Sequence, residues 1–580
     1  MKQLLRPVVL LLVAQLFLAN MLNAQLTRLS DAWDFKTMLL NGKPLLIWGR
    51  NGSFWKTDGT PAGTIQYTSK VLFDGDGDST AGRFYFFGKD ATAGRELWVT
   101  DGTDAGTSLV KDITPGTAGT EGFGFMSFKG RAYFFAKTNT TGAELWVSDG
   151  TADGTHLLKD INPGPADCIR KDNVYFFIAG DHLCFVADDG VHGREFWKTD
   201  GTEAGTVLLK DIYSGEIGGN VNDLRSHIAI GKTVYFVADD GNGPELWKTD
   251  GTSDGTRLVK DINQGVEGSY PGGFIPFNNK LFFSAGLATT GRELWVTDGS
   301  ESGTKLVKDL LPGTASSYLD LYNAIIFGNK LVFIALYSGT RFALWETDGT
   351  TAGTQVVKEF GPEFKGGRIL GEQNMNIDYS NPAHLPLFNG KIFMEIRTNS
   401  PSTDLWETDG TASGTRMVKR INDLDNEFDN LGYYTYALGK FYFAANAGDR
   451  LGKELWSSDG TDQGTSMIQD INPGDGSSSP VFRFVYKDQL YLTAYWAGYY
   501  NFYVLNNTPI PTIFVWTGAV DNTWENPGNW DVNTVPAATS DAFINSGEVE
   551  INSNVIVKHL TVKKGASLKV NEFRRLTVLK

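Results

Sequence analysis

Three carboxylates alternate with glycine in the segment DGDGDST, at Asp74, Asp76 and Asp78. Alternating carboxylates on a glycine-rich loop can direct several oxygen ligands at Ca²⁺, a hard cation that takes about six to eight of them. Because the helix and the distal glutamate of an EF-hand do not follow, backbone and water oxygens would have to complete the site. The alternative interpretation is a solvated acidic turn. The sequence indicates no cofactor other than this candidate calcium ion.

A serine in the segment GTSDG, Ser253, matches the G-x-S-x-G pattern of a hydrolase nucleophile. That nucleophile requires a strand-to-helix turn, and no helical pattern follows this segment. The same turn recurs elsewhere in the chain with Asp104, Glu203 or Thr351 at the serine position. The match is therefore coincidental, and the sequence predicts no catalytic residue.

Other residues suited to redox or metal chemistry are few. The six histidines show no ligand spacing, and the two cysteines, Cys168 and Cys184, are too few for a zinc cluster. Their separation of 16 residues is compatible with a disulfide in an oxidising compartment. It is equally compatible with two buried free thiols.

The elements that would position these residues form a repeat. The pattern ELW-x-T-D-G-T-x-x-G-T returns nine times along the chain. A period of about 40 to 50 residues built from short strands is typical of a propeller or of an array of supersecondary units. The tryptophans of the nine copies are Trp55, Trp98, Trp146, Trp197, Trp247, Trp295, Trp345, Trp406 and Trp456.

One copy of the repeat divides into four strands separated by turn residues. In the third copy the predicted strands cover residues 123–128, 131–137, 144–148 and 155–161. They are rich in β-branched and aromatic residues, and several are apolar on both faces. A strand that is buried on both faces suits a propeller blade, which packs between two neighbouring blades.

The turn of the repeat places one aspartate before a glycine in every copy. The aspartate can accept backbone N–H groups, and the glycine can adopt the left-handed conformation. Nine carboxylates in identical turns indicate structural staples rather than nine active sites. They are Asp58, Asp101, Asp149, Asp200, Asp250, Asp298, Asp348, Asp409 and Asp459.

The two ends of the repeat region predict how it closes. Strands at 481–486, 489–496 and 501–505 follow Trp456, and residues 26–31 resemble the missing fourth strand. Pairing them would remove the free edges of the sheets. We therefore predict an all-β fold: a β-propeller of about ten four-stranded blades closed by the N-terminal strand, plus a small C-terminal β module. Two smaller rings or an open solenoid are the alternatives.

The flanking regions predict export. Lys2, Arg6 and the apolar run over residues 8–18 form a signal peptide in residues 1–24, so we expect a secreted or cell-surface protein. No segment is long enough for a transmembrane helix. The repeat region covers 25–508, and a β-rich module covers 512–580. The net charge of −15 argues against nucleic acid or an anionic membrane as a partner. The sequence leaves the oligomeric state open.

The repeat residues resemble those of the bacterial ELWxxDGT-repeat family, secreted or surface-associated proteins of β-propeller-like fold. The resemblance covers about residues 25–507, with departures from a strict ELW at Trp55, Trp197, Trp345 and Trp406. The tail is similar to the W-x-G…W…NW…VP modules of large exported bacterial proteins.

A second resemblance concerns the spacing Asp90-x3-Gly94-x3-Trp98, which is similar to the tryptophan-docking motif of quinoprotein dehydrogenase propellers. The cysteine pair over the cofactor and the metal-ligating carboxylates of those enzymes are not identifiable in this sequence. Docking motifs hold blades together and perform no chemistry, so the motif predicts architecture rather than activity.

These observations predict a non-enzymatic binding or adhesion propeller that recognises an extracellular glycan or protein. The alternatives are a glycan-active enzyme on a propeller scaffold and a structural cell-surface component. Variable loops on a rigid scaffold are the usual place for recognition. We expect the loops between second and third strands and those leaving the fourth strands to share one rim, with the insert at 361–386 as its most specific feature. These loops lie at Lys89, Asp188, Asp239 and Asn446, and at Ile161, Leu311 and Ile471.

Overall fold

The chain forms two compact units, Met1–Leu505 and Asn506–Lys580. No helix in the described part of the chain is long and apolar enough to cross a membrane. The predicted signal peptide lies outside the described residues. A computed structural model describes residues 26–30, 35–40, 42–48, 52–138, 140–214, 227–361, 364–370, 390–398, 403–422, 431–446, 452–474, 476–487, 489–496, 498–506, 513–517, 521–524, 541–544, 546–552, 555–557, 559–571 and 576–578.

Within these residues the first unit contains ten antiparallel sheets of four strands each, which we call blades 1 to 10. The N-terminal strand β1 (Leu26–Ser30) belongs to blade 10. Blade 1 comprises β2 (Phe35–Leu40), β3 (Lys43–Trp48), β4 (Phe54–Lys56) and β5 (Ile65–Thr68), and blade 2 comprises β6 (Leu72–Thr80), β7 (Arg83–Asp90), β8 (Gly94–Thr100) and β9 (Ser108–Lys111). Blade 3 comprises β10 (Glu121–Phe128), β11 (Arg131–Lys137), β12 (Ala143–Ser148) and β13 (His156–Lys159). Blade 4 follows the 3-10 helix η1 (Lys171–Asn173) and comprises β14 (Phe176–Ala179), β15 (His182–Asp188), β16 (Arg194–Thr199) and β17 (Val207–Lys210), and blade 5 comprises β18 (Ile228–Ile230), β19 (Thr233–Ala238), β20 (Glu245–Thr249) and β21 (Arg257–Lys260).

Blades 6 to 10 repeat the same order of strands. Blade 6 comprises β22 (Gly272–Phe277), β23 (Lys280–Leu287), β24 (Gly291–Thr297) and β25 (Lys305–Lys308), and blade 7 comprises β26 (Asp320–Phe327), β27 (Lys330–Ser338), β28 (Arg341–Thr347) and β29 (Gln355–Glu359). Blade 8 comprises β30 (Phe364–Ile369), β31 (Ile392–Thr398), β32 (Thr403–Thr408) and β33 (Arg416–Asn422), and blade 9 comprises β34 (Gly432–Ala437), β35 (Lys440–Asn446), β36 (Lys453–Ser458) and β37 (Ser466–Gln469). Blade 10 comprises β38 (Val481–Tyr486), β39 (Gln489–Trp496) and β40 (Tyr499–Asn506), with β1 as its fourth strand.

The blades form one closed ring, as the sequence predicts. First strands of successive blades contact each other, for example β6 with β10 and β22 with β26, so the first strand of each blade is the innermost. The first strand of blade 10, β38, contacts β2, the first strand of blade 1. The N-terminal strand pairs antiparallel with β40, with Leu26 opposite Leu505. This pairing excludes both alternatives, two smaller rings and an open solenoid.

Adjacent residues of a strand point to opposite faces of the blade, so a strand can contact both neighbouring blades. In β8, Leu97 packs with Phe134 of blade 3. Its neighbour Trp98 packs with Leu45 and Ile47 of blade 1. Complete burial of a large apolar side chain stabilises a fold by about 1.5–3 kcal/mol. The Leu-Trp pair of blade 2 therefore joins it to both neighbours.

The repeat turn forms the predicted hydrogen bonds. In blade 3, Asp149 Oδ1 accepts from the backbone N–H of Thr151 at 2.9 Å and from its hydroxyl at 2.7 Å. The same hydroxyl accepts from Gly154 N at 3.0 Å. These bonds lower the pKa of Asp149. A Cβ atom at Gly154 would lie 2.0 Å from Asp149 Oδ1, which explains the second glycine of the repeat.

Lysines at the ends of fourth strands tie neighbouring blades together at their outer edge. Lys111 Nζ donates to the carbonyl oxygens of Ala152 at 3.1 Å and Thr155 at 2.7 Å in the next blade. Lys260 donates to Thr304 O at 3.1 Å in the same way. The lysine of the K-D that ends the repeat is thus part of the scaffold.

The second unit consists of short parallel strands. They are β41 (Ile513–Val515), β42 (Asp541–Ile544), β43 (Glu548–Ile551), β44 (Val555–Val557), β45 (His559–Val562), β46 (Ser567–Val570) and β47 (Leu576–Val578). The strands β42, β43 and β44 pair in parallel with β45, β46 and β47 respectively. Such pairing is the arrangement of successive coils in a β-solenoid. Its core contains Trp516, Trp524, Ile544, Val549 and Ile551.

Candidate functional site

The acidic segment at residues 74–78 lies in β6, the innermost strand of blade 2. Asp76 Oδ2 accepts a hydrogen bond from Gly124 N at 3.1 Å, and Asp78 Oδ2 accepts one from Ser127 N at 2.8 Å. Both donors belong to β10 of blade 3. The two carboxylates therefore join the innermost strands of neighbouring blades.

The structure does not gather these carboxylates around one point. Asp74 instead lies beside Arg95, with its Oδ2 3.8 Å from the Nε atom. Among the described residues, no group of three or more His, Cys, Asp or Glu side chains is arranged to hold a metal ion. A calcium site formed by Asp74, Asp76 and Asp78 stays a prediction.

A pocket of about 550 Å³ opens beside Asp76. Its first two walls come from β6 and β10, where glycines replace side chains. A Cβ atom at Gly122 would lie 1.9 Å from the Phe87 ring, and Gly124 has a φ of 67°. The pairing of β10 with β11 also shifts between Phe123 and Met126. Such a bulge changes the direction of side chains and often lies beside a functional site.

The third wall of the pocket belongs to blade 4. Its innermost strand, β14, has only four residues, and η1 precedes it. This arrangement brings Lys171, Val174 and Phe176 to the pocket. Lys171 is exposed, and its ammonium group makes neither an ion pair nor a hydrogen bond with any described residue. It is therefore free to interact with a ligand.

The aromatic walls of the pocket are supported from behind. Phe125 contacts the rings of Phe87 and Phe134, each at a centroid distance of 5.3 Å. Phe176 stacks on Phe135 with a centroid distance of 5.3 Å. A ligand that contacts these rings would meet a rigid apolar surface.

Arg95 provides a second cation beside the pocket. Its Nε, Nη1 and Nη2 atoms each donate at 2.8 Å, to the carbonyl oxygens of Asp74, Thr120 and Gly122. Burial lowers the pKa of the guanidinium, and 18% of the side chain stays exposed. A guanidinium has five N–H groups. Two of them are therefore left after these three bonds.

The glutamate of the repeat holds the segment that follows each fourth strand. Glu144 Oε2 accepts from Ile161 N at 2.7 Å, which ends the fourth strand of blade 3 at Lys159, earlier than the predicted 161. Burial raises the pKa of Glu96 to about 6, and those of Glu144, Glu293 and Glu454 to about 7. Since these carboxyls receive backbone N–H groups, they are parts of the frame rather than a catalytic pair.

The two predicted sets of loops meet at one rim. Gly142 N, in the loop before β12, donates to Gly164 O at 3.0 Å. Asp188 N donates to Cys168 O at 2.8 Å. Both contacts join a loop between second and third strands to a segment that leaves a fourth strand. The pocket residue Arg95 lies at the start of β8, directly after such a loop, and Lys171 lies in a segment that leaves a fourth strand, so the pocket lies at this rim.

Other candidate residues have structural positions. Cys168 and Cys184 are buried free thiols, and burial raises the pKa of both. Ser253 lies in the repeat turn, which leads into strand β21 rather than a helix. Asp90 Oδ1 accepts the backbone N–H groups of Thr92 and Ala93, so it stabilises its own loop.

Two of the predicted recognition elements lie largely outside the described residues. The insert at 361–386 is described only at 361 and 364–370, and the loop at Asn446 is not described at 447–451. The sequence predictions did not include Lys171, Phe125 or Phe176. Two features of the sequence could have indicated these residues. They are the glycine-rich stretch EGFGFM at 121–126 and the polar segment KDN at 171–173, which replaces the start of a strand.

The first unit is a ten-bladed β-propeller. Residues 515–580, within the second unit, match the profile of a domain of unknown function (DUF8693). No curated protein matches the chain.

Several solved structures are distantly similar to the chain. A prolyl endopeptidase is 10% identical, with 66% of this chain and 55% of that chain covered and a TM-score of 0.28. Puromycin hydrolase is 11% identical, with 78% and 62% covered and a TM-score of 0.28. Prolyl oligopeptidase B from Galerina marginata is 11% identical, with 65% and 54% covered and a TM-score of 0.31. Likenesses this distant carry no inference about activity.

Proposed function

We propose that this protein is an exported, non-enzymatic binding propeller whose rim pocket on blades 2 to 4 takes part of an extracellular glycan. The observation that carries the proposal is the pocket itself. It joins aromatic rings, two cations and one carboxylate in about 550 Å³. Ligand sites are typically concave and largely apolar, with a few polar groups that fix orientation.

The chemistry of the pocket suits a sugar. A pyranose presents an apolar C–H face and a rim of hydroxyls that both donate and accept hydrogen bonds. Phe125 and Phe176 can cover the apolar face, while Lys171 and Arg95 donate and Asp76 accepts. Because positive and negative groups face the same cavity, a hydroxyl-rich ligand fits better than a strongly charged one.

The wider assignment is part of the same proposal. We place the chain in the ELWxxDGT-repeat family on its nine repeat copies, and we place it outside the cell or at its surface on the leader at residues 1–24. A calcium ion at Asp74, Asp76 and Asp78 stays a prediction of the sequence, and the EDTA step of the test below checks it.

The test is a glycan array probed with the full exported chain, first with Ca²⁺ and then with EDTA, followed by an assay of the bound sugars for cleavage. We expect intact sugars to be retained. Lys171→Ala should weaken retention about fivefold to tenfold, the value of one ordinary hydrogen bond of about 1–1.4 kcal/mol, and Lys171→Arg should restore most of it.

Lys232→Ala is the matched control, because Lys232 is an exposed lysine in the tight turn between β18 and β19 of blade 5. Cleaved sugars would replace the proposal with a glycan-active enzyme. If the array retains no glycan, the proposal fails and a protein becomes the candidate ligand of the pocket. Equal losses in Lys171→Ala and Lys232→Ala would remove the pocket from the proposal.

A further inference from the structure

Three tyrosines stand out of the same rim at the junction of blades 6 and 7. Tyr270, Tyr318 and Tyr322 are 57%, 72% and 72% exposed. None of their hydroxyl groups hydrogen-bonds to any residue that the structure describes. Tyr270 and Tyr318 hold equivalent positions in the segments that lead into β22 and β26, and Tyr322 lies in β26 itself.

Tyr270 and Tyr318 have the left-handed backbone conformation, with φ of 48° at both residues. A bulky residue in this region is an outlier, and such conformations cost about 1 kcal/mol or more. Glycine would be favoured there, and tyrosine occurs on two adjacent blades. Backbone strain of this kind persists where the surrounding structure imposes it and often marks a functional position.

The frame of the repeat imposes this conformation. The N–H groups of Ser269 and Tyr270 both donate to Pro244 O, at 3.0 and 3.1 Å, and the Ser269 hydroxyl donates to buried Glu245 at 2.5 Å. In blade 10 the equivalent residue, Ser479, is also left-handed, with a φ of 41°. The left-handed geometry therefore occurs at this position in blades 6, 7 and 10, and among these three blades the exposed aromatic ring is particular to blades 6 and 7.

Tyr322 joins the two positions into one surface. Its hydroxyl oxygen lies 3.4 Å from where a Cβ atom at Gly272 would be, two residues after Tyr270. The ring thus reaches across the blade junction from β26 to β22. Behind it, Arg292 Nη1 donates to the hydroxyl and the carbonyl oxygen of Ser284, at 3.0 and 3.2 Å, so this cation is already engaged.

We propose that Tyr270, Tyr318 and Tyr322 form a second binding surface, which takes a neutral polysaccharide by stacking its sugar rings on the three phenol rings. Rigid tyrosines offer a large amphipathic contact area at a low cost in conformational entropy. Each free hydroxyl can in addition bond a sugar hydroxyl.

The surroundings of the tyrosines favour a sugar chain over a protein. Stable protein interfaces bury more than about 1,000 Å² around a continuous apolar centre, whereas the residues next to Tyr318 and Tyr322 in the chain include the polar Ser316, Asp320 and Asn323. The acidic chain, with a net charge of −15, disfavours an acidic polysaccharide. The inference rests on the proposed function only in that both ligands are glycans, because it uses no residue of the pocket.

The test is native affinity electrophoresis of the full exported chain in gels that contain soluble mixed-linkage β-glucan, xyloglucan, galactomannan or amylopectin, with polygalacturonate as the acidic comparison. We expect at least one neutral polysaccharide to retard the protein. The combined variant Tyr270→Ala, Tyr318→Ala, Tyr322→Ala should lower its affinity at least about tenfold. Tyr318→Phe and Tyr322→Phe should keep most of the retardation, since the rings remain.

Tyr499→Ala is the matched control, because Tyr499 is a 48% exposed tyrosine of blade 10. Thermal unfolding shows whether the combined variant folds. If it does not fold, the retardation of the single variant Tyr318→Gly is measured instead, and it should be weaker than that of the wild type. No retardation of the wild type by any neutral polysaccharide, or equal retardation of the combined variant, overturns the inference.

The pocket variant Lys171→Ala separates the two proposals. If retardation is lost in the tyrosine variants and kept in Lys171→Ala, the second surface stands whatever the outcome at the pocket. If Lys171→Ala loses the retardation and the tyrosine variants keep it, the pocket stands and the second surface falls.

Discussion

Blades 2 and 6 contain the same nine residues, GRELWVTDG, at 94–102 and 291–299, yet they form different surfaces. In blade 2, Arg95 donates to carbonyl oxygens of blade 2 and blade 3 and lies beside the pocket. In blade 6, Arg292 donates to Ser284 and Ser269, and exposed tyrosines cover the junction. The glutamates behind them, Glu96 and Glu293, hold the following segment in both blades.

The comparison separates the frame of the propeller from its recognition surface. The Glu-Leu-Trp and the aspartate turn set the distance and the packing of the blades. The innermost strand and the segment before it differ between blades, and these residues determine what the rim exposes. Variation there leaves the frame intact, as expected for loops on a rigid scaffold.

The largest expected effect is the dependence of the stability of the whole propeller on pH. The pKa values of Glu96, Glu144, Glu293 and Glu454 are raised above the ordinary value near 4.5, to about 6 or 7. Their contribution to stability is complete below about pH 4.5 and is lost as the pH rises through 6 to 7, by at most about 1.4 kcal/mol per pH unit for each group. Thermal unfolding should therefore occur at a lower temperature at pH 7.5 than at pH 5.

The turn aspartates limit this stabilisation on the acid side. Their pKa values are lowered, as for Asp149 and Asp298, so their contribution is lost as the pH falls below about 4. Because Glu293 titrates at about 7 and Glu96 at about 6, Glu293→Gln should flatten the profile more than Glu96→Gln. A melting temperature that rises from pH 5 to pH 7.5 would contradict the prediction.

The next effect removes one glutamate of the frame. Glu293→Ala leaves the N–H groups of Leu310 and Ser317 without their acceptor, so we expect a loss of about 2–4 kcal/mol in the free energy of unfolding. Glu96→Ala should cost a similar amount, because the frame is common to both blades. Denaturant unfolding measures both values. A difference of more than about 2 kcal/mol between the two losses would show that the two glutamates do not play equivalent parts in blades 2 and 6.

A smaller effect is specific to the blade 2–3 junction. Asp76→Ala removes the acceptor of Gly124 N and should cost about 1–2 kcal/mol. Tyr322→Ala, at the corresponding junction of blades 6 and 7, should change stability by less than about 0.5 kcal/mol because its side chain is 72% exposed. Equal losses in the two variants would mean that the tyrosine is a structural contact.

The smallest effect has the opposite sign. Tyr318→Gly relieves a left-handed backbone and should raise stability by up to about 1 kcal/mol while it weakens polysaccharide retardation. Tyr318→Ala keeps the strain and serves as the control, with lower retardation and unchanged stability. A loss of stability in Tyr318→Gly would falsify the assignment of strain at this position.

Much of the fold could be predicted from local patterns. The strands at 131–137, 481–486 and 489–496 have the predicted bounds, because apolar runs between glycine-rich turns define them. Closure by the N-terminal strand was also visible, since three strands without a fourth leave an open edge. The pocket was not visible: Lys171 belongs to a 3-10 helix that replaces part of a strand, and nothing local indicates which wall it will face.

The sequence by itself determined the number of blades, the turn that joins their outer strands and the residues that join each blade to its neighbours. These properties depend on interactions that repeat at short range, so each copy of the motif carries them. Only the tertiary structure decided that Asp76 and Asp78 face blade 3, that glycines line a pocket beside them and that Tyr270 and Tyr318 are exposed. Those outcomes depend on contacts between blades about 50 residues apart in the chain, which form only when the ring closes.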